Sequence, residues 1–242
     1  MPASALIKLT AATLVGLVFL VGLGVWQLQR LEWKEGLIAR IEARTERKPV
    51  TLERAIELTK ELGNLSYLPV VAEGRFHHKR ERYLYSISLD GEPGWHVITP
   101  LQTVDGHFVL VDRGFVPDKL RDPEARPQGR VQEVVAVTGL IRTPEEPGLF
   151  IPANDPQANQ WFSRDLAAMT RSMFPGGTVE VAPFFLEAGE SDVPGGWPKG
   201  GQTRLKLTNS HLQYALTWFG LALCLAGVYG VYVWGAYRGK QP

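Results

Sequence analysis

Apolar residues gather at the two ends of the chain and are scattered in short runs between them. From Leu9 to Gln29 the stretch "LTAATLVGLVFLVGLGVWQLQ" carries no charged residue, about the length a helix needs to cross the hydrocarbon core of a bilayer. A second uncharged window runs from Leu212 to Tyr237. The pattern predicts transmembrane helices over 9–29 and 209–235, enclosing a polar segment of roughly 180 residues, long enough for one domain with its own core. Lys8 followed by an apolar run is also how a cleaved signal sequence begins. The run exceeds the usual signal core of about 7–15 residues, and Gly22-Leu23-Gly24 is its one small-x-small cleavage point.

Between the windows the period changes twice. "RLEWKEGLIARIEARTERK" puts Trp33, Leu37, Ile38 and Ile41 on one stripe, predicting an amphipathic helix over 31–48 that continues the first span until Pro49. "TLERAIELTKELGN" reads as a second helix over 51–62, with Thr51 as N-cap and Gly63-Asn64 as its stop. Over 67–208 the texture becomes short runs rich in Val, Ile, Phe and Tyr: "VVAEGRF", "RYLYSIS", "WHVITPLQ", "HFVLVDRGFV", "EVVAVTGLIR", "VEVAPFFLEA" and "TRLKLTN". Such spacing predicts an antiparallel sheet curled into a barrel or sandwich. "RDLAAMTRSM" is the one interior stretch with helical periodicity. The expected fold is a membrane protein of α+β class, two transmembrane helices flanking an antiparallel β-barrel or sandwich-like domain with one or two short helices.

Composition narrows the function. With 26 Lys plus Arg against 25 Asp plus Glu, there is no basic excess to displace counterions from phosphates, and no nucleic-acid partner is expected. Cys224 is the single cysteine, so a disulfide within one chain and a Cys-x-x-Cys metal site are both excluded. Met1, Met169 and Met173 complete the soft ligands, too sparse a set for a copper carrier. No nucleophile elbow, zincin helix, phosphate loop or dinucleotide fingerprint occurs. Asp112, Asp122 and Asp165 each adjoin an arginine, Arg113, Arg121 and Arg164, which suggests structural pairs or turn chemistry rather than a general acid and base. His77 and His78 would face opposite ways on a strand, so a solvated loop is expected there; His96 and His107 alternate with apolar neighbours, as on an outer face or when satisfied by hydrogen bonds. The N-terminus lacks the Arg- and Ser-rich character of a transit peptide, pointing to a bacterial membrane. Arg30, Lys34, Arg40, Arg44, Arg47 and Lys48 would by counting keep the domain cytoplasmic, whereas large domains translocate regardless of such charges. Charge counting leaves both orientations open.

Candidate chemistry sits at the membrane threshold. His211, Ala215 and Trp218 fall near one face of the second span, with Tyr214 beside the histidine. An imidazole followed one turn later by alanine leaves room for a flat macrocycle, an aromatic ring beyond could stack on it, and haem iron takes histidine as an axial ligand. The competing reading is a headgroup-depth histidine within an ordinary aromatic belt. At the mouth of the first span, Trp26, Gln27 and Arg30 lie on successive turns. Arg30 is either a membrane-edge anchor or the partner of a ligand carboxylate.

"LGVWQLQRLEWK", "GWHVITPL", "VLVDRGFVP", "RDPEAR", "FIPANDPQANQWFSRDLAAM" and "NSHLQYALTWFGLA" resemble, in order, the motifs of the surfeit locus protein one family, from about Leu23 to Trp218. The resemblance implies a factor in the assembly of haem-copper cytochrome c oxidase, not an enzyme. It implies a periplasmic domain over 30–208 on the bacterial inner membrane, with 1–8 and 236–242 cytoplasmic. Some members bind haem a for delivery to oxidase subunit I, and the proposed iron ligand corresponds to His211. Asp112 stands where asparagine is commoner, and Ser210 where a second asparagine often precedes the histidine. The resulting expectation is transiently bound haem a as cargo. His211 supplies the axial bond, Tyr214, Ala215, Trp218, Trp26 and Gln27 shape the site, and Arg30 or Arg204 neutralises propionate charge. Subunit I, haem a synthase and the lipid bilayer are the expected partners. The rival expectation is an anchored scaffold for oxidase assembly that binds no haem itself.

Overall fold

A computed structural model describes residues 3–145, 147–177, 179–203 and 208–238. The chain forms two compact units, Met1–Arg40 with Lys206–Pro242, and Ile41–Leu205. The first holds α4 (His211–Arg238) and all but the last five residues of α1 (Ala3–Thr45), both helices long and apolar enough to cross a membrane. The protein is a multi-pass membrane protein. The two helices run antiparallel, and their contacts form a ladder: Thr10 Oγ1 lies 2.6 Å from the Tyr229 hydroxyl, Gly16 faces Leu225, and Gly24 faces Phe219. Small residues let the backbones approach. A Cβ on Gly24 would stand 2.6 Å from the Phe219 ring. On α4 the buried positions are Ala215 and Ala222, seven residues apart and so on one face. Cys224 is exposed.

The second unit begins with β1 (Val50–Thr51) and α2 (Leu52–Leu62), where Thr51 Oγ1 accepts from the Arg54 N–H and Gly63 ends the helix at φ +76°. Strands β2 (Pro69–Phe76), β3 (Arg82–Ile87), β4 (Pro93–Thr103), β5 (Phe108–Pro117), β6 (Val135–Arg142), β7 (Gln160–Trp161) and β8 (Val181–Ala188) follow, with α3 (Leu166–Met173) before the last. The sheet order is β1-β2-β6-β8-β5-β4-β3-β7, and an additional β2–β4 pairing closes it into a barrel. Two long apolar helices with a β-barrel domain and short helices between them in sequence is the expected fold class. Most pairings are antiparallel, but β1 pairs parallel with β2, β8 returns parallel to β5 after the excursion through α3, and β7 pairs parallel with β3. The last expected run, "TRLKLTN", falls largely outside the described residues.

Alternation along β5 and β8 supplies two cores. Val109, Val111, Phe184 and Leu186 point into the barrel with Val70, Ala72, Leu101 and Ile141, and Leu52 and Ala55 of α2 pack against them. Phe108, Leu110 and Phe185 point outward, where Met169 and Met173 of α3 and Trp161 of β7 cover them. Strands buried on both faces need this second layer.

Beyond the outer core the same face turns ionic. Asp112 continues the row of Phe108 and Leu110, Glu187 that of Phe185, and His96 reaches them from β4 beside a bulge. Asp112 is fully buried and accepts from His96 Nδ1–H at 2.8 Å, Arg164 Nη2 at 3.0 Å and the Gly114 N–H at 3.1 Å. Burial alone would raise its carboxyl, but the His96 imidazole and the Arg164 guanidinium hold it well below the usual carboxylate range. Glu187 moves the other way, raised by burial and by the charge of Asp112. A second ionic cluster joins Glu81, Arg126, Arg113 and His78. Glu81 is pushed up by burial but held below its ordinary value by hydrogen bonds from His78 and Arg126. His78 is therefore not in a solvated loop: it is buried, and its Nε2–H donates to the Val131 carbonyl at 2.7 Å. His96 is likewise an interior residue, satisfied by hydrogen bonding. The three Asp–Arg neighbours are structural, as expected, through turn chemistry or through an arginine other than the adjacent one. Asp122 and Asp165 cap short helices, and Asp112 takes Arg164 because successive strand residues, here Asp112 and Arg113, point to opposite faces.

Two outcomes follow from this packing. Gly114 sits at φ +110° with the Lys199 backbone against it, so Gly114→Ala will destabilise the domain by about 1–3 kcal/mol from conformation alone, with the clash adding to it; the urea midpoint followed by tryptophan fluorescence reads the loss. Asp112→Ala strands Arg164 and His96 and will cost about 3–5 kcal/mol near neutral pH. Because the native carboxyl is depressed, its stabilisation is present above the unfolded pKa and fades as pH falls below about 4. The gap between parent and variant midpoints will therefore narrow on acidification. A gap of constant size down to pH 3 would show that the carboxylate charge is not what stabilises the fold.

Candidate functional site

The first residue of α4 is His211, and its position follows from how that helix starts. Asn209 Oδ1 accepts from the His211 N–H at 3.4 Å, and the Tyr214 N–H is satisfied by the Ser210 carbonyl at 3.2 Å. The asparagine signals a helix start, since its short side chain reaches backbone donors two residues on. Thr217 bonds back to the Gln213 carbonyl at 2.9 Å within the helix and is not drawn toward the histidine.

Across the helix pair, His211 Nδ1 lies 2.7 Å from Gln27 Oε1. A carboxamide oxygen can only accept, so Nδ1 carries the proton. When the imidazole is neutral this keeps the lone pair of Nε2 free for a ligand, and no described residue bonds that nitrogen. This is the arrangement in which a metal-ligating histidine is held, one ring nitrogen fixed by a hydrogen bond and the other presented. The imidazole is partly exposed, so the presented nitrogen is not sealed in the protein.

The other candidate residues divide. Ala215 is 1 % exposed, so its small side chain serves the close approach of the helices rather than an open slot. Trp218 is half-buried two turns below the histidine. Tyr214 and Trp26 are about half exposed, at 56 % and 49 %, and look outward. Arg30 lays its guanidinium over the Trp33 ring, 4.8 Å from the centroid. Arg204 lies outside the described residues. The structure thus brings His211 and Gln27 into contact, with Ala215 and Trp218 on the adjoining face, and leaves Tyr214, Trp26 and Arg30 as a partly open rim.

One other group of metal-ligating side chains gathers among the described residues, His96, Asp112 and Glu187, whose donor atoms lie within 4.8 Å of one another. Its charge is already answered. Arg164 binds Asp112, and Arg142 Nε approaches Glu187 at 3.6 Å, so a cation entering there would meet two guanidiniums. His96 also spends Nδ1–H on Asp112. The cluster is a buried ion-pair layer.

Comparison with known proteins identifies the family. The chain matches the SURF1 family over residues 14–223, a span that includes Gln27, His211 and the whole barrel. It is 41 % identical over 218 residues to surfeit locus protein 1 of Homo sapiens, covering 83 % of this chain and 69 % of that protein. The surfeit locus protein 1 of Xenopus tropicalis is 40 % identical over 224 residues, covering 86 % and 69 %. A SURF1-like protein of Drosophila melanogaster is 36 % identical over 219 residues, covering 83 % and 69 %. On the extent of these matches, the chain belongs to the SURF1 family.

Proposed function

We propose that this chain carries haem a for cytochrome c oxidase, holding the iron through Nε2 of His211 at the edge of its helix pair and passing it to subunit I. Membership of the SURF1 family makes it a factor in cytochrome oxidase assembly and not an enzyme. Within that role, the observation that carries the reading is the 2.7 Å bond from His211 Nδ1–H to Gln27. It leaves a neutral nitrogen donor free at the threshold of an apolar helix, and haem iron takes such a nitrogen as its axial ligand. A partly exposed imidazole at the membrane edge suits a macrocycle with an apolar body and two carboxylates. The body would enter lipid and the carboxylates stay wet.

The rim fits the same cargo. Trp218, Tyr214 and Trp26 offer aromatic faces to the macrocycle. Arg30, exposed and stacked on Trp33, would pair with a propionate, and Arg204 is the second candidate for that role. A single protein nitrogen also keeps the hold reversible, as delivery requires. In this reading 30–208 is a periplasmic domain on a bacterial inner membrane, 1–8 and 236–242 are cytoplasmic, and the donor of the haem is haem a synthase.

Expressed together with haem a synthesis and purified in detergent, the parent chain will carry haem with a histidine-ligated optical spectrum. His211→Ala will lose most of it while keeping its membrane insertion and the tryptophan fluorescence of the barrel. A colourless parent, or equal haem in both proteins, would leave an anchored scaffold as the correct reading.

A further inference from the structure

The partner of His211 is a neutral amide, and that choice of acceptor carries a consequence for release. A histidine that ligates a metal usually gives its second N–H to a carboxylate, a carbonyl or water, and a carboxylate partner makes the imidazole a stronger electron donor. Here the acceptor is the carboxamide of Gln27, at 2.7 Å, from a residue 184 positions away in sequence. It fixes the tautomer by accepting the Nδ1 proton, without adding charge.

We propose that Gln27 is a positioning residue for His211, holding the proton on Nδ1 so that Nε2 faces the ligand, while its neutrality keeps the bond to that ligand weak enough to break. The tautomer part stands on the geometry alone, and the release part rests on the haem-carrying reading above. The register that makes it possible is set nearby. Gly24, one turn before Gln27 on α1, accepts the Phe219 ring, and this close approach brings the Gln27 amide within reach of the imidazole. No other described side chain bonds the His211 ring, so the amide alone decides which nitrogen carries the proton. Free imidazole in water has no such fixed choice.

The first test needs no haem. Full-length protein in detergent, labelled with 15N at histidine and observed at a pH where the imidazole is neutral, will show His211 protonated on Nδ1, the resonance being assigned by its disappearance in His211→Ala. Gln27→Leu will move the ring toward the Nε2–H form, whereas Gln27→Glu, which restores an acceptor, will keep Nδ1 protonated. An Nε2–H parent, or a Leu variant with an unchanged tautomer, overturns the proposal whatever the outcome for haem. The second test uses haem-loaded protein and follows transfer to apomyoglobin. Gln27→Leu will release haem about 10–100-fold faster than the parent, the range typical for loss of such a supporting bond. Gln27→Glu will release it more slowly and raise the iron–histidine stretching frequency in resonance Raman spectra. Equal release rates and frequencies across parent, Leu and Glu variants overturn the release part. A parent that takes up no haem fails the carrier reading instead, and the nitrogen spectra still decide the role of Gln27.

Discussion

The close approach of α1 and α4 is the constraint from which the candidate site derives. Lipid tails are as apolar as the helix surfaces, so no hydrophobic gain pulls two membrane helices together; contact has to come from packing and hydrogen bonds. This pair uses both. Gly24 and Gly16 take the side chains of Phe219 and Leu225, Ala215 and Ala222 keep the facing surface of α4 thin, and the Thr10–Tyr229 bond ties the end of the pair remote from His211. With that register fixed, Gln27 reaches His211. A rotation of either helix by one residue, about 100°, would carry the carboxamide out of range.

The barrel domain is organised by a different kind of constraint. Strands β5 and β8 lie in the middle of the sheet and are buried on both sides, so each must present side chains to the interior and to α3 alternately. Where α3 ends its cover, apolar residues give way to Asp112 and Glu187, and the buried carboxylates are held by His96, Arg164 and Arg142. An ion pair of this kind contributes little net stability over a well-packed apolar substitute, yet breaking it by removing one partner is expensive. Its effect is to fix the segment leading into α3 against the sheet through Arg164.

The readable parts of this chain were those whose signal is local. The two long apolar windows, the Thr51 cap and six runs of alternating residues all depend on neighbours within a turn or a strand. What went unread depends on residues far apart. The two-residue β7 is too short to show a period, and it exists because Trp161 fills the outer core beside Met169 and Met173. Parallel pairing of β8 with β5 is invisible in either strand alone. Asp112 looked like a partner for Arg113 by adjacency, while strand geometry turns the two apart and sends Arg113 to Glu81. His78 gave the appearance of an exposed residue in a charged run, and it is Glu81 within that run and the distant Val131 carbonyl that hold it inside. At the candidate site, His211 and Gln27 were each visible as residues at a membrane mouth. Their bond was not, because nothing in either segment fixes the helical register between them.

That register also explains why a carrier site would be placed at the edge of the helix pair rather than in its middle. Deeper along the seam, Gly24, Ala215 and Ala222 bring the backbones too close to admit a macrocycle, and a polar ligand there would lose its solvation. At the mouth, the ring needs only one acceptor to fix its tautomer, and its other nitrogen stays reachable from outside. A neutral amide meets that need without importing charge to the lipid boundary, where an unpaired carboxylate beside an apolar helix would be costly. The same three conditions, close helices, one neutral acceptor and an open outer side, define a place where a ligand can be held by a single bond and still leave.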